Sequence, residues 1–164
     1  MQRSPRKVLT AVAVLAAGAV ALAVFLQFAF GMEPCAWCTF QRLIFLAVAA
    51  AALLAASLYR SRPAFVAAGG LAALLAAGGV WAALYQQFVA SKADSCVYTF
   101  ADRFLLRTGL DEKLPWLFEA TASCAEANVP LLGVSFAYWS AGLFAVLLLL
   151  TAGALRGGSK EAIA

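Results

Sequence analysis

The chain has 164 residues, of which 65% are hydrophobic and 12% charged, against roughly 45–50% and about 25% in soluble domains. At a mean hydropathy of +0.89 a soluble globule would have too few polar groups to cover its surface, and the same apolar excess excludes a disordered chain. The net charge of +4, from 12 basic against 8 acidic residues, is too slight to point to nucleic acid; an integral membrane protein remains.

A spanning helix needs about 20 mostly apolar residues, and four stretches meet that length: about 8–30, 39–58, 64–90 and 134–155. They are continuous and rich in Ala and Leu rather than alternating with period two, so helices are expected and not a barrel. The first follows Arg3, Arg6 and Lys7 as a secretory leader would. Its apolar run is too long for a leader, and it ends in Gly31-Met32-Glu33-Pro34 without a small-x-small cleavage site, so it reads as a retained span. A short loop, about 31–38, carries Cys35-Ala36-Trp37-Cys38 just before the second span, which has Gln41 and Arg42 near its start. A basic turn with Arg60, Arg62 and Pro63 leads into the third span, which has Gln86 and Gln87 near its far end. The long loop at about 91–133 holds Cys96 and Cys124. It also holds a mixed stretch, residues 97–118, whose apolar side chains could lie on the membrane surface or pack on the tops of the spans. The expected architecture is all-α: one integral-membrane domain over residues 1–164, a four-transmembrane-helix bundle with its long loop between helices 3 and 4.

Charge orients the bundle. The N-terminus, the 60–62 turn and the C-terminal tail hold seven basic residues and one acid, Glu161, whereas the two other loops hold four basic residues and seven acids. An excess of Lys and Arg marks the cytoplasmic side, which places both termini there and both loops outside. All four cysteines then fall on the outer, oxidising face, where an even count indicates disulfide chemistry. Of three possible pairings, the most economical is Cys35–Cys38 with Cys96–Cys124. A bridge across two residues adds little stability; that spacing is instead usual for a dithiol that is repeatedly oxidised and reduced. The second bridge would close a loop of 28 residues and taken alone reads equally well as a staple. Structural zinc takes Cys₄ or Cys/His sets; with no histidine in the chain and an oxidising location, a metal site is not expected.

Cys38 falls at or near the start of a helix, where free backbone N–H groups favour a thiolate. Arg42 lies one turn further on the same face. An arginine at membrane depth either snorkels or has a task; beside a thiolate, the second reading gains weight. Gln27, Gln41, Gln86 and Gln87 sit near the outer ends of spans and could ring a pocket for the carbonyl oxygens of a lipid-soluble carrier, or could bond helix to helix.

Taken together, Pro34-Cys35-Ala36-Trp37-Cys38 heading the second of four spans, Gln41-Arg42 one turn later, and a loop cysteine pair with Cys124-Ala125-Glu126 resemble the DsbB family across nearly the whole chain. The resemblance implies a bacterial inner-membrane oxidoreductase that reoxidises a periplasmic DsbA-type thioredoxin-fold partner and passes electrons to ubiquinone or menaquinone. It also implies roles by position. Cys96 and Cys124 would accept electrons from the partner, with Cys96 forming the mixed disulfide. Cys35 and Cys38 would be the membrane-proximal pair, with Cys38 facing quinone. Arg42, Gln27 and Gln87 would lie at the quinone site, Gln87 standing where some members carry a histidine. Two rival readings remain. A vitamin K epoxide reductase-like enzyme usually has the reverse order of cysteine pairs. A non-enzymatic scaffold would hold two inert staples with potentials below about −300 mV.

Overall fold

A computed structural model of the chain describes residues 4–92 and 99–161, with side chains described as far as residue 158. Cys96, Val97 and Tyr98 lie outside the described residues. Four long helices dominate: α1 (Pro5–Phe30), α2 (Ala36–Ser57), α3 (Arg62–Phe88, continued by a 3₁₀ turn, Ala90–Lys92) and, after the long loop, α7 (Phe136–Glu161). All four are long and apolar enough to cross a membrane. α1 packs on α2, α2 on α3, α3 on α7, and α7 back on α1, closing a four-helix bundle.

Lipid tails are as apolar as the side chains, so close packing rather than water exclusion must hold such helices together. Small residues supply the closeness. α3 turns Ala68, Gly69, Ala72, Ala76, Gly79 and Ala83 inward, and α2 turns in Ala49, Ala52 and Ala56. Gly79 admits the ring of Phe144: a Cβ there would lie 2.4 Å from it. That ring stacks on Phe45 at 3.7 Å between centroids, 7° from parallel. Leu22, Phe28, Leu74 and Leu149 point outward and are exposed, as lipid-facing side chains must be.

Helix ends follow local chemistry more than hydropathy. α1 stops at Gly31, which adopts φ +64° at no steric cost. Cys35, extended after Pro34, caps α2, so that helix begins at Ala36, three residues before its apolar run suggests. α7 starts at Phe136 because residues 130–135 form a small antiparallel ribbon instead. Its strands, β1 (Pro130–Leu131) and β2 (Val134–Ser135), pair Leu131 with Val134. Leu132 and Gly133, both at positive φ, make the tight turn that such a ribbon requires.

The long loop contains three short helices: α4 (Phe100–Thr108), α5 (Leu110–Lys113) and α6 (Pro115–Phe118). Of the two placements open for the mixed stretch, its described part takes up packing on the spans. Ala101, Leu105, Leu117 and Phe118 are buried, and Phe40 of α2 meets Phe100 and Phe104 edge-on at 5.8 and 5.4 Å. Phe100, Leu106 and Trp116 remain exposed, an outward apolar fringe.

Candidate active site

The site is built on the first turn of α2. Cys35 at the cap is fully buried, Cys38 is the third helical residue, and the two sulfurs stand 3.0 Å apart. The long loop is strapped over this turn at two points. The Pro34 carbonyl accepts the N–H groups of Thr121 (3.0 Å) and Ala122 (3.2 Å). One turn deeper, Arg42 Nη1 donates to the Leu117 carbonyl at 3.0 Å and to Gln27 Oε1 of α1 at 2.8 Å. Arg42 is 6% exposed; it ties α1, α2 and the loop together rather than snorkelling.

The strap delivers Cys124 to Cys35. The Cys35 thiol bonds to Cys124, and the backbone N–H of Trp37, free at the start of α2, donates to the Cys124 sulfur. The hydrogen bond from Cys35, followed by that from Trp37, holds the Cys124 thiol below its ordinary range, against burial and the nearby Cys38 and Asp102. Cys35 is pushed well up, because its one proton is held between the neighbouring Cys124 and Cys38 sulfurs and because it is buried. Of these two sulfurs, the arrangement favours the negative charge on Cys124 and the proton on Cys35. Three of the four sequence-predicted cysteines thus meet at one helix start. Cys124 is a free thiol here, and its expected pairing with Cys96 involves a residue outside those described.

On the bundle side, Gln86 Nε2 of α3 donates to Cys38 Sγ at 3.1 Å, and Gln41 Nε2 donates to Gln86 Oε1 at 2.5 Å. Gln86 therefore reaches Cys38 directly and Gln41 through it, while Gln27 is joined to Arg42, one turn along α2. Gln87 has other partners. Its Oε1 accepts the Ser135 hydroxyl at 2.5 Å, and that hydroxyl also meets Asn128 Oδ1. Gln87 fastens α3 to the start of α7, and its neighbour, one helical step round, reaches the sulfur. Trp37 was missed as more than a spacer. Its buried ring lies 4.8 Å from that of Tyr85 and 6.2 Å from that of Trp81, and its Nε1–H has no partner among the described residues. The aromatic pair Trp81/Tyr85, four residues apart on α3, was the available signal.

A quinone needs donors for two carbonyl oxygens and flat apolar walls. Arg42 has five N–H donors, and only the two on Nη1 have partners among the described residues. The unpartnered Trp37 N–H and the Trp37/Tyr85/Trp81 rings add a donor and faces. This donor set fits a quinone.

Comparison with known proteins agrees with the geometry. The family described as Disulfide bond formation protein DsbB matches residues 5–154. The chain belongs to the DsbB family. Disulfide bond formation protein B of Ralstonia nicotianae is 32% identical over 152 residues, covering 92% of this chain and 93% of the relative. The Cupriavidus necator protein of that name is 30% identical over 158 residues, 95% and 96% of the two chains. Disulfide bond formation protein B 2 of Pseudomonas aeruginosa is 35% identical over 150 residues, 87% and 86%. Family and four apolar helices together make this a multi-pass membrane protein of disulfide bond formation. The vitamin K epoxide reductase-like alternative falls away with the family assignment.

Proposed function

We propose that the chain is an inner-membrane thiol:quinone oxidoreductase that reoxidises a periplasmic DsbA-type dithiol protein. The observation that carries this reading is the meeting of Cys124 with Cys35 while Cys35 touches Cys38. Thiol–disulfide exchange needs a thiolate attacker and a reachable sulfur, and both are supplied at the head of α2.

In the relay, a partner thiolate attacks Cys96 of the Cys96–Cys124 bridge and frees Cys124 as a thiolate. Cys124 attacks Cys35, the Cys35–Cys38 bond breaks, and the electron pair leaves on Cys38. A bound ubiquinone or menaquinone supplies the two-electron acceptor. Arg42 and Trp37 would hold its carbonyl oxygens, with Gln27 keeping the guanidinium in place. The helix start favours negative charge on the sulfurs, and α4 and α6 cover the turn against water. Seven of twelve basic residues lie on the termini and the α2–α3 turn, which supports cytoplasmic termini and periplasmic thiols.

The test is anaerobic mixing of the purified chain with a reduced DsbA-type partner and a quinone, following quinone absorbance and counting thiols. One quinone should be reduced per two partner thiols oxidised, and Cys38→Ser should abolish it. Undiminished turnover in that variant would refute the relay. Four unreactive sulfurs would favour the inert scaffold.

A further inference from the structure

Among the described residues, the one side-chain hydrogen bond reaching the Cys38 sulfur from another helix comes from Gln86. Buried amides between spanning helices commonly serve as glue, and the Gln41–Gln86 bond alone would meet that need. The geometry goes further. Gln41 Nε2 occupies the carbonyl end of Gln86 at 2.5 Å, which leaves the amino end of Gln86 directed at sulfur, 3.1 Å away. Gln41 and Gln86 are 3% and 2% exposed, so water cannot compete for these groups. A neutral thiol or disulfide sulfur is a weak acceptor, whereas an ionised one makes a charge-assisted bond roughly twice as strong as a neutral pair. An N–H aimed at sulfur in a dry interface therefore gains most when that sulfur carries charge.

We propose that Gln86 is a further catalytic residue, the donor that receives the thiolate of Cys38 as it leaves Cys35, and that Gln41 is the positioning residue that aims it. This rests on the relay reading above and deepens it. The step balances within the chain: the Cys124 thiolate bonds to Cys35, the Cys35–Cys38 bond breaks, and its electron pair stays on Cys38. Gln86 keeps its proton and gives only a hydrogen bond. The division of labour is then distinct: the Trp37 backbone N–H serves the attacking sulfur, Gln86 serves the leaving sulfur, and Arg42 lies one turn below with three donors unpartnered among the described residues.

The test uses the full chain in lipid nanodiscs with Cys35, Cys96 and Cys124 replaced by Ala, so that Cys38 is the sole thiol and Arg42 the charged group beside it. The rate of alkylation by a small maleimide is measured across pH for this parent and for Gln86→Met and Gln41→Met, both unbranched and of similar length. Gln86→Met should slow alkylation at neutral pH by about 10- to 100-fold, the effect of one hydrogen bond to a charged group, with the loss recovered at high pH. Gln41→Met should give a smaller loss with the same pH recovery. Should Gln86→Met not fold, Gln41→Met carries the test alone. Profiles identical to the parent, or a loss equal at every pH, would overturn the proposal, the latter by showing altered access rather than altered charge. The assay needs neither partner nor quinone. A loss in Gln86→Met alongside failure of quinone reduction would therefore count against the relay and not against the role of Gln86.

Discussion

Replacing Arg42 with methionine separates the loop strap from the bundle in a way the structure quantifies. Arg42 Nη1 makes two hydrogen bonds, but only that to the Leu117 carbonyl fastens the loop; the other goes to Gln27 of α1. The loop therefore loses one charge-assisted bond, about 1.5–3 kcal/mol. The lower figure applies, because the Leu117 carbonyl regains water when α6 lifts. The Pro34 carbonyl still holds Thr121 and Ala122, so the loop should loosen without leaving. About 1.4 kcal/mol is one decade in an equilibrium, so the open population should rise about tenfold. The assay is amide hydrogen exchange of the reduced chain, read at Thr121 and Ala122, whose N–H groups are bonded only while the strap is closed. Both should exchange about tenfold faster in Arg42→Met, with the centres of α2 and α3 unchanged. Unaltered exchange at both amides would show that Arg42 does not hold the loop, and its place in the account would shrink to the membrane side.

Gly79→Ala should destabilise the bundle by about 1–3 kcal/mol, the usual cost of overpacking. The new Cβ would lie 2.4 Å from the Phe144 ring, which Phe45 blocks from behind. A thermal midpoint in detergent equal to that of the parent would contradict the packing described. In the reduced chain, Cys124 should be alkylated at lower pH than Cys35, since its thiol is held below the ordinary range and that of Cys35 well above it. Cys35→Ala removes the principal donor to Cys124 and should move the Cys124 profile upward. By linkage the lowered Cys124 midpoint fastens the reduced loop as pH rises through it toward the ordinary thiol range and releases it as pH falls, whereas above that range the raised Cys35 thiol loosens the loop again. Exchange at Thr121 that accelerates as pH rises toward the ordinary thiol range, after correction for intrinsic chemistry, would contradict that sign.

The sequence made the membrane architecture legible because twenty apolar residues in a row have few other uses. Its errors sit where chemistry departs from hydropathy. Cys35 caps α2 and Trp37 lies within it, yet neither lengthens an apolar run in a way that marks a helix start. Gln86 and Gln87 are indistinguishable by composition; only the rotation of α3 against α2 and the ribbon before α7 decides that the first meets Cys38 and the second Ser135. The strap was out of reach for another reason. It runs through the backbone carbonyls of Pro34 and Leu117, and every residue has a carbonyl. The approach of Cys124 to Cys35 follows from that strap, so pairing by economy could place the loop cysteine with Cys96 but not beside the membrane pair.

The most direct measurement of the relay is the disulfide map of its half-way state. Fully oxidised chain in quinone-free nanodiscs is mixed with one equivalent of reduced DsbA-type partner, quenched with acid and alkylator, and mapped by mass spectrometry. The relay requires a Cys35–Cys124 bond, a free Cys38 and the partner joined to Cys96. A Cys38–Cys124 bond, or an intact Cys35–Cys38 pair throughout, would contradict it.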